Sequence, residues 1–99
     1  PPERSPAAPV PTVRARLRVL TGAAAGDVVP VVRDEFVLGR VGVQVAALCD
    51  RDGVLTLVPR EGASPPTVNG EPVPPEGRTV VPGDGFEVAG ARLEVLPRD

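Results

Sequence analysis

Arg40 is the residue of this chain best placed for anion chemistry. It follows Gly39 at the end of the apolar run Phe36-Val37-Leu38, within "FVLGRVGVQVAALC". A guanidinium at a glycine corner on a strand end can hold an anion through two parallel hydrogen bonds, provided other donors share the charge. Other reactive groups are few. The chain has no histidine, and Ser5 and Ser64 sit in proline-rich stretches with no base nearby in sequence. Cys49 falls inside an apolar run, where a thiol is buried and inert. As the single cysteine it excludes an internal disulfide and gives no metal cluster. Asp50 and Asp52 in "DRDG" match the start of a calcium loop, but the remaining ligands and the closing Glu are missing. The stretch reads as a solvated hairpin turn. "GAAAGD" has no Lys or Ser/Thr after its glycines and is not a phosphate loop. No catalytic constellation emerges, and neither cofactor nor metal is expected.

The elements that must carry Arg40 are strands. "VRARLRVL" alternates Val13, Ala15, Leu17 and Val19 with Arg14, Arg16 and Arg18, the period of a strand with one wet face. "VVPVV" follows a glycine-bounded turn, and Pro30 makes it an edge or a bent strand. "EFVL", "VQVAALC", "VLTLV", "RTVV", "GFEV" and "ARLEVL" are further strands, with "PREGASPP" as loop. In "TVNGEPV" Asn69-Gly70 separates two short strands, the strongest short hairpin signal, because both central positions of a type I′ turn need positive φ. Nine or ten short strands without a helical window predict an all-β fold, sandwich or barrel. Residues 1–12, "PPERSPAAPVPT", hold five prolines and read as an extended linker. The domain is expected over 13–97.

Composition narrows the partners. A chain of 99 residues with 41% hydrophobic content is one domain that can fold without metal or disulfide. Its aromatics are Phe36 and Phe86, so the core must be Val, Leu and Ala. The net charge of −2 argues against nucleic acid or an anionic membrane as partner, since both call for clustered positive charge. Arg14, Arg16 and Arg18 have no interleaved aromatics for stacking on bases and read as a solvated face. No run is long and apolar enough to span a bilayer. The sequence starts at Pro1 rather than Met and reads as a module of a larger protein, in a cytoplasmic setting, free or as the cytoplasmic part of a membrane-anchored parent.

The order of the pieces resembles the forkhead-associated family, a β-sandwich that binds phosphothreonine peptides with loops at one end. "LRVLTGAAAGDVVPV" resembles its first hairpin, "FVLGR" its hydrophobic-Gly-Arg motif, "TVNGEPV" its Val-Asn-Gly hairpin and "VVPGDGFEVAGARLEVL" its closing strands. Together they cover residues 16–96. The phosphate site does not carry over. Where the family has Ser-Arg-x-His, this chain has Val43, Gln44 and Ala46, and the intervening loop is shortened to almost nothing. Ser64 takes the place of the family's peptide-gripping Asn. Arg40 alone remains as a phosphate ligand. A hydrogen bond to a charged group contributes roughly 1.5–3 kcal/mol, so the loss of two weakens binding by roughly two to four powers of ten.

The expected function is therefore a non-catalytic, phospho-independent protein-interaction module in a bacterial signalling or secretion protein. "VGVQV" and "GASPP" would offer apolar and backbone groups to a protein or peptide partner. Gly39, Asn69 and Gly70 would be structural turns, with Arg40 hydrogen-bonded to loop carbonyls or a carboxylate. Val43, Gln44, Ser64 and Thr67 would complete a degenerate peptide surface. Two alternatives stand beside it: a phosphothreonine reader with a rearranged site on Arg40, Ser64 and Thr67, and a structural or oligomerisation spacer that works through edge-strand pairing.

Overall fold

Alternating burial builds the first strand: Ala15 and Leu17 are buried while Arg16 and Arg18 are not. The computed structural model describes residues 13–97; the proline-rich segment 1–12 lies outside the described residues. Ten strands follow in order: β1 Ala15–Val19, β2 Val28–Val31, β3 Glu35–Arg40, β4 Gln44–Arg51, β5 Val54–Gly62, β6 Thr67–Val68, β7 Glu71–Pro72, β8 Arg78–Val80, β9 Gly85–Val88 and β10 Ala91–Leu96. Among the described residues there is no helix. The strands form a six-stranded sheet, β2-β1-β10-β9-β6-β7, and a four-stranded sheet, β3-β4-β5-β8. All pairings are antiparallel.

The core lies between the sheets. Leu17, Val31, Val68, Phe86, Val88 and Val95 from one meet Ala46, Leu48, Leu57 and Val80 from the other. It is the aliphatic core the composition requires, with Phe86 its one fully buried aromatic. Each Val, Leu or Phe so buried contributes roughly 1.5–3 kcal/mol. Pro30 lies on the edge strand β2, where its missing N–H leaves no ladder bond unmade.

Three expectations change. β5 runs on to Gly62, so the first half, "PREG", of the stretch "PREGASPP" expected as loop is strand. The extension is accommodated by a bulge: Val45 pairs with Glu61 and Ala46 with Pro59, which leaves Arg60 unpaired between them. The turn "DRDG" is not solvated throughout. Asp50 is buried, accepts from the Gly53 N–H at 3.1 Å, and binds the Arg14 guanidinium at 2.8 Å. Arg14 therefore leaves the solvated arginine face and ties the two sheets together. Its Nε is buried and has no hydrogen-bond partner among the described residues.

Antiparallel pairing sorts the loops to two ends. The Asn69-Gly70 hairpin, the β4–β5 turn and the 81–84 loop lie at the Asp50 end, together with residues 14 and 97. At this end Asn69 has φ 52° and Gly70 φ 86°, and Val68 pairs with Glu71, the two-residue type I′ hairpin the sequence predicts. Asn69 also reaches outward. Its side chain donates to Asp84 Oδ1 at 3.0 Å and accepts from the Gly85 N–H at 3.1 Å. Asp84 Oδ2 accepts from the Val81 N–H at 3.0 Å. The "NG" and "GDG" turns, read separately in the sequence, are thus one hydrogen-bonded unit. The Val81 N–H, the Asn69 amide and the positive Arg78 hold the Asp84 carboxyl below its ordinary pKa.

Two outcomes follow. No atom crowds a Cβ at Gly70, so Gly70→Val acts through backbone strain and should cost about 1–2 kcal/mol, lowering Tm by roughly 4–8 °C per kcal/mol; thermal melts check it. Asp84 binds its proton less tightly folded than unfolded. Its stabilisation is complete above the ordinary carboxylate pKa of about 3.9 and is lost as pH falls through the lower folded value. Denaturant titrations from about pH 6 to pH 2 should show a shallower acid loss of stability for Asp84→Asn than for the native chain.

Candidate functional site

The opposite end of the sandwich gathers the β3–β4 hairpin tip, the β5–β6 loop and the β9–β10 turn. Arg40 and Gln44 close the hairpin as its last pair, with residues 41–43 as the turn and a Val43 N–H to Arg40 carbonyl bond of 3.0 Å. Arg40 is exposed. Its guanidinium makes no hydrogen bond or ion pair with any described residue, contrary to the expected link to loop carbonyls or a carboxylate. The hairpin tip is too short to fold back over it.

Gly39, expected as a structural turn, lies within β3 opposite Val45, and what demands a glycine there is close approach. Its φ is 116°, and a Cβ there would overlap the Gln44 carbonyl oxygen and lie 2.9 Å from Val45 Cα. On the far side of β4, Gly62 leaves the same room: a Cβ there would lie 2.9 Å from the Val43 carbonyl oxygen. β4 is thus flanked at Gln44–Val45 by one glycine on each side, Gly62 opposite Gln44 and Gly39 opposite Val45.

Gln44 ties three loops. Its Nε2 donates to the Ser64 carbonyl at 2.6 Å, and its Oε1 accepts from the Ala89 N–H. Ala89 has φ 52°, an unusual conformation for alanine. Gln44 comes from the four-stranded sheet and Ala89 from the turn of the six-stranded one, so the amide closes this end as Arg14–Asp50 closes the other. Both ends of the amide are engaged internally. Gln44 is a strut rather than a free peptide contact.

The remaining sequence-selected residues separate. Val43 is 54% exposed and its neighbour Val41 is 86% exposed, an apolar tip around the Arg40 charge. Ser64 offers its carbonyl to Gln44 and leaves its side chain exposed. Thr67 alternates with the buried Val68, so it lies on the outer face of the six-stranded sheet, in a shallow groove with Asn69, Glu87 and Arg92. Ala46, where the resemblance would place a His, is fully buried in the core and leaves no room for an imidazole.

Electrostatics disfavour a phosphate here. Glu61 Oε1 faces the Gly42 N–H at 3.5 Å, so a carboxylate occupies the approach to the backbone donor nearest Arg40. Neither Glu61 nor Ala89 was legible as part of this end, because their partners lie 19 and 45 residues away in sequence. Among the described residues, no group of His, Cys, Asp and Glu could hold a metal ion. Among the described residues no helix is long and apolar enough to cross a membrane. No family model matches the chain, and no curated protein matches it.

The steric reading of β4 is checked by a pair of substitutions. Gly39→Ala should destabilise by about 3 kcal/mol or more, the scale of overpacking combined with left-handed strain. Gly42→Ala meets open space and should cost only about 1–2 kcal/mol of backbone strain. Chemical denaturation of both variants measures the difference.

Proposed function

We propose that this domain is a non-catalytic protein-interaction module that docks a protein partner through its Gly39–Arg40 loop end without requiring phosphate. The observation that carries the reading is the division of labour at that end. Two of the polar groups that could grip an anion are engaged internally: the Gln44 amide with Ser64 and Ala89, the Gly42 N–H with Glu61. At the hairpin tip Val41 and Val43 face solvent beside the exposed Arg40 guanidinium. Exposed aliphatics next to a single charge suit a protein surface or peptide, where apolar burial provides affinity and the charge fixes orientation. The two-sheet sandwich is the fold that the forkhead-associated resemblance implies, and it supports placing the binding surface on loops at one end. Loops on a rigid β scaffold are a common location for binding groups. The parent would be a larger bacterial signalling or secretion protein, with this domain in the cytoplasm.

One observation favours a second reading. Arg40 has no partner among the described residues, and the Ser64 side chain is exposed, so both could reach a phosphothreonine peptide. Thr67 would contribute little to that site from the outer sheet face.

Calorimetric titration separates the two. Phosphothreonine peptides should bind with a Kd weaker than about 1 mM. A displayed library of unmodified peptides should instead yield binders that lose at least about tenfold in affinity, roughly 1.4 kcal/mol, when Val41 and Val43 are both changed to Ser. Micromolar binding of a phosphothreonine peptide that is absent for its unphosphorylated twin and lost in Arg40→Ala would overturn the proposal and establish the second reading.

A further inference from the structure

The four edges of the two sheets are not equally protected. β2 carries Pro30, β7 is two residues long and ends in Pro72, and β8 has three residues. β3, Glu35–Arg40, is a six-residue edge without proline. Its hydrogen-bonding phase can be read from one bond: the Asp50 N–H donates to the Asp34 carbonyl at 2.9 Å. Antiparallel ladders alternate, so Asp34, Phe36, Leu38 and Arg40 bond toward β4. Glu35, Val37 and Gly39 direct their N–H and C=O groups to the open edge. These are the groups a further strand would take.

We propose that a second copy of this chain pairs antiparallel along β3, joining the two four-stranded sheets into one. The sequence of the edge is self-complementary. Asp34 stands just before it and Arg40 at its end, so an antiparallel copy brings each Asp34 beside an Arg40; Glu35 is already paired with Arg60 at 2.6 Å within its own chain. A parallel copy would bring like charges together. A two-fold axis normal to the sheet requires facing residues to share a side. The register centred on Val37 meets this, with Val37 opposite its own copy and Glu35 opposite Gly39. Val37 is 60% exposed and would be covered by its counterpart. Phe36 and Leu38, half-buried at the rim of the core, would gain cover on the inner face.

This surface is distinct from the Val41–Val43 tip, so the two can fail separately. The native chain should pass from monomer toward dimer in sedimentation equilibrium between about 10 μM and 1 mM, the range of a small edge contact. Val37→Pro removes an N–H that β4 does not use and should weaken self-association at least about tenfold. Its Tm tells whether the fold survives. Val37→Lys, which keeps the backbone donor, should have the same effect through charge if Val37 faces itself across the axis. Both variants should retain any partner bound by the tip. A native chain that stays monomeric at about 1 mM overturns the proposal, as does a dimer unaffected by both variants.

Discussion

One primary amide holds the Arg40 end of the sandwich closed. Two packed sheets of aliphatic side chains have no directional preference between them, so something polar must fix how their loops meet. Gln44 does this through two backbone partners from different loops. The arrangement works only because Gly39 and Gly62 let the neighbouring strands approach β4 without side chains. Most of the architecture at this end follows: the abrupt hairpin, the course of the β5–β6 loop and the left-handed turn at Ala89. At the other end the Arg14–Asp50 pair does comparable work, in a setting where removing one partner leaves the other poorly compensated.

The consequence at this end is a distribution of polarity unlike the one the resemblance implies. The position that the resemblance assigns to a phosphate-binding arginine is occupied by a residue that holds the scaffold. The position assigned to a supporting histidine is core. At this end the Gln44 amide and the Gly42 N–H are engaged internally, while Val41, Val43 and the Arg40 guanidinium are exposed.

Much of the fold was legible because it depends on local rules. The two-residue alternation of β1, β9 and β10 and the Asn69-Gly70 turn are decided by neighbours in sequence. The extension of β5 was missed because Pro59 and the charged Arg60 and Glu61 read as loop; a bulge lets such residues remain in an edgeward stretch of strand. Asp50 was read as solvated because its partner, Arg14, is 36 residues away. Gln44 was read as a peptide contact for the same reason. Period and turn chemistry say which residues share a face. They do not say which polar side chain on that face will find a distant backbone group, and the candidate site consists mostly of such encounters.

β1 and β10 are antiparallel neighbours whose outer ends, Arg16 and Leu96, face each other, so the chain comes in and goes out on one side of the sandwich. Tension along the polypeptide would therefore part these two strands like a zipper, one rung at a time, rather than slide them past each other against all their bonds together. The Arg14–Asp50 tie stands at the first rung. In that geometry the Arg40 loops lie at the end farthest from the line of pull.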